Sequence, residues 1–153
     1  MSSQNKLRMR QLGQKLQLLN AVREIQTPAK GWVHSIRTTL NMTLRQLGNK
    51  LNMSEQGAKD LENREASGAI SLRSLQEAAN ALDMKLVYGL VPKDGTLEQL
   101  VERKARSLAE KIVKRTHHNM QLEDQGNSEE RIAAAIDDLT DEIKRELRRS
   151  IWD

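Results

Sequence analysis

Thr43-Leu-Arg-Gln-Leu-Gly-Asn-Lys-Leu-Asn-Met-Ser-Glu-Gln-Gly-Ala-Lys-Asp-Leu-Glu-Asn-Arg64 is the stretch whose reading decides the fold. It opens on Thr43-Leu-Arg-Gln46, a capping box in which the Thr hydroxyl and the Gln side chain each satisfy an orphan amide of a helix start. Asn52 and Met53 make a turn. Ser54 is then the N-cap of a second helix, with Glu55 in the first turn, where the helix dipole favours an acid. Leu47, Leu51, Met53, Ala58 and Leu61 are spaced so that both helices close on one small core, and small Gly48 and Ala58 let the helices approach closely. Two short helices around a tight apolar turn make a helix-turn-helix, whose second helix presents its outer face to the major groove of DNA.

Outward from this joint the chain continues as helices. Trp32, Val33, Ile36 and Leu40 mark one before it, after Gly31, and Ser71 starts another beyond the Ser67-Gly68 loop, with Leu72, Leu75, Ala78, Ala79 and Leu82 inward. Residues 5–25 predict a basic amphipathic helix, Leu7, Met9, Leu12, Leu16, Leu19, Val22 and Ile25 on one side and Lys6, Arg8, Arg10, Lys15 and Arg23 elsewhere. It either docks on its own domain or serves as a dimer-forming or DNA-clasping arm, and Thr27-Pro28 ends it.

Residues 84–91, Met-Lys-Leu-Val-Tyr-Gly-Leu-Val, are rich in apolar and β-branched side chains and end at Pro92 and Gly95, which predicts a single short strand. A lone strand pairs with its copy in a dimer, accepts a partner's strand, or packs on helices as an extended segment. Thr96-Leu-Glu-Gln99 repeats the capping box ahead of a helix with Leu97, Leu100, Val101, Leu108, Ile112 and Val113. After Gly126-Asn127, Ser128 caps a last helix whose stripe is Ile132, Ile136, Leu139, Ile143, Leu147 and Ile151.

The chain has 153 residues, 37% hydrophobic and 30% charged, with no Phe, two Trp and one Tyr, so its core must be built from Leu, Ile, Val, Ala and Met. That favours helices packed on helices. With no Cys, disulfides and thiolate metal ligands are excluded, and the reducing cytosol is the expected compartment. The short apolar runs predict neither a leader nor a membrane span. Net charge is +4, unevenly placed: residues 1–31 carry six basic groups against one acid, residues 32–93 eight against six, and residues 94–153 eleven against fourteen. A basic front suits a polyanion and the acidic last third suits some other partner.

Residues 36–82 resemble the lambda-repressor-like, or XRE, family of DNA-binding domains, carried by Leu47, Gly48, Leu51, Met53, Ser54, Ala58, Leu61 and Glu62. The resemblance implies that Glu62 pairs inside the fold with Arg37, a structural pair outside DNA reading. Residues 44–92, LRQLGNKLNMSEQGAKDLENREASGAISLRSLQEAANALDMKLVYGLVP, look closer still to a subgroup called mobile mystery protein A. Members of that subgroup sit on mobile elements beside a Fic-domain protein, which implies a toxin–antitoxin or element-regulating pair. Many Fic-inhibiting partners carry Ser or Thr followed four residues later by Glu; here Ala58 stands where that hydroxyl would precede Glu62, so direct obstruction of a Fic active site by that device is not expected.

With Ala58 and Leu61 inward, Glu55, Gln56, Lys59, Asp60 and Asn63 lie outward on the second helix of the motif. Gln56 suits an adenine edge, Lys59 a guanine edge or a phosphate, and Asp60 a cytosine amino group. Thr43, Arg45, Lys50, Ser54, Arg64 and Arg73 fall near helix ends and loops, where phosphates are held. Catalysis and metal binding find no footing. His117 and His118 are adjacent and point apart on a helix, His34 is alone, and Asp137-Asp138 and Glu129-Glu130 lie on a solvated face. No phosphate-cradling Gly loop, zincin motif or Ser elbow occurs.

The expectation is an all-α chain: an amphipathic basic helix over 1–27, a five-helix helix-turn-helix domain over 28–83, a strand and turn over 84–95, and an assembly or partner-binding helical region over 96–153. It predicts a cytoplasmic, nucleoid-associated, dimeric regulator of double-stranded DNA without cofactor or enzyme activity, encoded beside a Fic-domain partner. The rival expectations are an antitoxin that neutralises its partner through the C-terminal region, and an architectural DNA protein without sequence preference.

Overall fold

Helix starts in this chain are set by side chains that accept from the first free backbone amides. Thr43 Oγ1 accepts from the Gln46 amide at 3.1 Å while Gln46 Oε1 accepts from the Thr43 amide at 2.8 Å. Ser54 accepts from Gly57 at 3.0 Å, Ser71 from Ser74 at 3.1 Å, and Thr96 and Gln99 exchange bonds of 3.1 and 3.0 Å. Each such cap is worth about 1 kcal/mol. The computed structural model describes residues 3–122 and 128–153. Its helices are α1 (Ser3–Gln17), α2 (Trp32–Thr39), α3 (Leu44–Lys50), α4 (Glu55–Ser67), α5 (Leu72–Ala81), α6 (Leu97–Leu122) and α7 (Glu129–Glu146), with short 3-10 turns at Asn20–Val22 and Arg149–Trp152.

The chain divides into two units, Glu24–Tyr88 and Met1–Arg23 with Gly89–Asp153. In the first, α2 to α5 close on Val33, Leu47, Ala58, Leu61, Ala78 and Leu82, with Ile36, Leu51, Met53 and Leu75 packed around them. Gly48 makes the turn between α3 and α4 workable. A Cβ there would lie 2.7 Å from the Met53 carbonyl oxygen and 3.0 Å from that of Ser54, while the Gly48 carbonyl itself accepts from the Met53 amide at 2.9 Å.

Two acids of α4 fasten α2. Glu62 accepts from Arg37 Nε, from Arg37 Nη2 at 3.2 Å and stands 3.0 Å from His34 Nδ1, while Arg37 Nη1 also donates to the Met42 carbonyl at 2.8 Å. One turn on, Glu65 accepts from the Trp32 and Val33 amides at 2.8 and 2.9 Å, and so caps α2 from another helix. Gly31, the residue before α2, has no side chain to offer; its φ of 85° and the 2.8 Å that would separate a Cβ from Glu65 leave room for glycine alone.

The second unit is built on α6 and α7. Ala105 and Ala109, four residues apart and both fully buried, let Ile143 of α7 reach the α6 backbone, and Val101 and Ile151 complete the core. Arg23 donates to the Pro92 carbonyl at 2.5 Å and to that of Lys93 at 3.4 Å, tying the N-terminal segment to the turn before α6.

Several expectations change. Among the described residues there is no strand: residues 84–91 form no ladder. Met84, Leu86 and Val87 border an apolar cavity of about 260 Å³ with Trp32, Ile36, Leu75, Ala79 and Leu82, although Met84 and Val87 stay exposed. The first unit holds four helices, α2 to α5, the four that caps and apolar spacing place between Trp32 and Leu82, and not the five of the expected domain; α5 closes where Asp83 turns left-handed (φ 56°) and the Met84 amide donates to the Ala79 carbonyl at 2.8 Å. The helix expected over 5–25 ends at Gln17 and buries no residue fully; Leu7 and Leu12 stay half-exposed while Met9 packs on the α6–α7 core. The last helix stops at Glu146, where Leu147 turns left-handed (φ 49°), and Ile151 reaches the core from the 3-10 turn that follows. The Gly126-Asn127 divide lies outside the described residues. Among those residues no helix is long and apolar enough to cross a membrane, and no three His, Asp or Glu side chains group as metal ligands.

Gly48→Ala gains up to about 1 kcal/mol of helix propensity, but the two carbonyl oxygens in its way are backbone and cannot move without opening the turn. Overpacking costs about 1–3 kcal/mol. Urea denaturation is expected to show net destabilisation; a more stable variant would contradict the close approach.

Arg37→Ala and Glu62→Ala each strand a buried charge, and thermal or urea melts should show a loss of about 3–5 kcal/mol. Burial pushes the Glu62 carboxyl up, but hydrogen bonds from Arg37 and His34 and their charges outweigh it, so it sits below its ordinary value of 4.5. With the folded value depressed, the pair's stabilisation is complete above about pH 4.5 and is lost as pH falls through the folded value. The parent should therefore lose stability on acidification below pH 4.5 more steeply than Glu62→Gln; parallel curves would remove the pair from acid unfolding.

Candidate nucleic-acid interface

With Ala58, Leu61 and Glu62 buried, the geometry of α4 leaves Glu55, Gln56, Lys59, Asp60, Asn63 and Arg64 exposed. Lys59 and Asp60 each stand three or four residues from both Gln56 and Asn63, so the four form one outer ridge. Within it Gln56 Nε2 donates to Asp60 Oδ1 at 2.9 Å, a bond along the helix that fixes the direction of the Gln56 amide. Lys59 makes no ion pair with Asp60 or any other described acid.

The remaining predicted residues lie on α3, α4 and α5 of the same unit or cap those helices. Thr43 and Ser54 cap α3 and α4, so their hydroxyls are already engaged and the amides behind them mark two helix N-termini. Arg45 and Lys50 are exposed on α3, Arg64 is exposed toward the end of α4, and Arg73 is exposed on α5, where it pairs loosely with Glu77 at 3.6 Å. Arg37 and Glu62 face each other beneath the ridge. All of the residues expected to contact DNA are therefore exposed, and the expected internal pair is buried.

Sequence reasoning missed Lys30 and His34. They carry no motif, yet the fold brings them to a cleft of about 260 Å³ beside Lys59, Asn63 and Ala66, floored by Arg37 and Glu62. The cue available in the sequence was positional: His34 stands three residues before Arg37 on a predicted helix, so it falls on the same face as the pair. Chemically the surface offers one amide held in a fixed direction, one unpaired ammonium, a carboxylate and an Asn amide on a rigid helix, flanked by basic side chains. That combination can hydrogen-bond base edges while cations at its border meet phosphates. Compared with known proteins, the chain matches no family model, no curated protein and no solved structure.

Proposed function

We propose that the protein is a sequence-specific DNA-binding regulator that acts as a homodimer and reads an operator with the outer ridge of α4. The observation that carries this reading is the setting of α4: a capped helix locked to α2 by Glu62 and Glu65, with Gln56, Lys59, Asp60 and Asn63 all exposed on its far side. A helix of thirteen residues held this firmly, with polar groups suited to base edges rather than an apolar stripe, fits a major groove better than a protein groove. Phosphates would be met by Thr43, Arg45, Lys50, Ser54, Arg64 and Arg73. The resemblance to mobile mystery protein A adds the setting of that activity: repression of its own operon beside a Fic-domain gene.

Titration of the full-length protein against its own promoter and against random duplex tests the proposal. Promoter affinity should fall steeply with salt as Lys and Arg displace counterions; a flat response would refute a phosphate-based contact. Gln56→Ala should narrow the gap between promoter and random DNA by about 1–3 kcal/mol while the thermal melt stays unchanged. Arg45→Ala should weaken both DNAs together and make the salt slope shallower by about 0.9. A gap untouched by both Gln56→Ala and Lys59→Ala would move specificity away from α4.

A further inference from the structure

The cleft floored by Arg37 and Glu62 holds more donors than the fold uses. Arg37 is 8% exposed, and of the five N–H groups of its guanidinium three are engaged: Nε–H and one on Nη2 by Glu62, and one on Nη1 by the Met42 carbonyl. Among the described residues, one N–H on each Nη has no acceptor. His34 Nδ1 lies 3.5 Å from Nη2 but cannot serve, because the Glu62 carboxylate only accepts and Nδ1 must turn its own hydrogen toward it. A buried donor without an acceptor is destabilising, so the cleft favours an occupant that brings acceptors.

The charges point the same way. Lys30 and Lys59 line the cleft, and neither is in an ion pair among the described residues. Glu62 is the one acid that lines it, with one oxygen held by Arg37 and the other by Arg37 and His34. Glu65, one turn on, is occupied by the Trp32 and Val33 amides; Glu55 and Asp60 stand near Lys59 along α4 but do not line the cleft, and Asp60 holds Gln56. Three cations therefore meet one acid that is already used. Lys30 precedes α2, Arg37 lies on α2, and Lys59 and the Asn63 amide lie on α4, so the donors come from separate elements and outnumber the two oxygens of a carboxylate. A volume of about 260 Å³ leaves room for a small ion and not for a folded segment.

We propose that this cleft is a binding site for one phosphate-class oxyanion, held by the spare N–H groups of Arg37 and by Lys30, Lys59 and Asn63. The same chemistry is supplied by a free phosphate ion or by a phosphodiester of duplex DNA. The site lies wholly within the unit that carries α4, and free-ion binding does not depend on the operator reading.

The test titrates inorganic phosphate into the full-length protein at constant ionic strength, read by calorimetry. It is run beside K30Q/K59Q and beside K50Q/K85Q, which removes two exposed cations of the same unit that do not line the cleft. The parent should saturate at one phosphate per chain. K30Q/K59Q should bind at least about tenfold more weakly, the factor that one lost charge-assisted hydrogen bond is worth, and K50Q/K85Q should match the parent. Should the double variant lose its helical circular dichroism, K30Q alone must still weaken phosphate. A second arm titrates K30Q, which alters no residue of the α4 ridge, with random duplex over a range of salt, against K85Q. A slope shallower by about 0.9 in K30Q alone, without uptake of inorganic phosphate, assigns the cleft to the DNA backbone. Phosphate uptake with an unchanged slope assigns it to a free ion, and a response in both arms to either source. Silence in both arms overturns the proposal and leaves the α4 reading intact, since Gln56→Ala reports on that separately. Acetate bound as tightly as phosphate overturns it too, because two oxygens would then suffice. So does phosphate binding weakened equally in K50Q/K85Q, which would reduce uptake to net charge.

Discussion

The placement of α4 depends on two carboxylates one helical turn apart. Glu62 takes the guanidinium of Arg37 and the ring nitrogen of His34, and Glu65 takes the first amides of α2. Arg37 also holds the Met42 carbonyl, so one network joins α2, the link to α3, and α4. Apolar burial by itself specifies this poorly: Leu47, Ala58 and Leu61 would tolerate α4 rotated by part of a turn, because dispersion and area removal carry no direction. Charge-assisted hydrogen bonds do carry direction. By fixing the inward face of α4, they also determine which side chains remain outward, and the candidate interface is the remainder left by that choice.

Close approach by small residues recurs in both units and follows from the same lack of large aromatic side chains. Gly48 lets the end of α3 touch the carbonyls of the following turn, and Ala105 with Ala109 lets α7 settle on α6. With no Phe in the chain, cores of Leu, Ile, Val and Ala reach native density only if backbones come near each other. The polar side of the second unit is sorted just as strictly. Of its acids on α6, Glu102 pairs with α7, Glu98 lines a groove with basic residues of α1, and Glu110 pairs with Arg106 of the same helix, so the negative sum of residues 94–153 says little about the sign of any one face.

What the sequence made legible was whatever is decided within one helical turn. The caps at Thr43, Ser54, Ser71 and Thr96 and the apolar spacing of Leu47, Ala58 and Leu61 follow from neighbours three or four residues apart. What escaped depends on partners far along the chain. Glu65 caps α2 from thirty-three residues away, and Arg23 meets carbonyls about seventy residues away. Residues 84–91 have the composition of a strand, but whether the backbone finds a ladder depends on a neighbour that composition does not supply, and Val87, Tyr88 and Leu90 stay exposed. The α4 ridge was legible because its inward face was, whereas Lys30 and His34 join it only through the packing of α2 on α4.

The bond from Gln56 to Asp60 bears on how such a ridge would read a base. A carboxylate can only accept, so the nitrogen of the Gln56 amide, not its oxygen, must point at Asp60. One N–H is thereby used, leaving the second N–H and the oxygen free and held in a known direction. A bidentate contact with adenine needs one donor for N7 and one acceptor for the amino group, and those are the two sites left over. The intrahelical bond therefore need not break on binding, and the side chain is ordered before DNA arrives. Ordering a flexible side chain at an interface costs about 0.5–1.5 kcal/mol, so in the proposed complex Asp60 would serve Gln56 by removing that cost, even where its own charge makes no contact with a base.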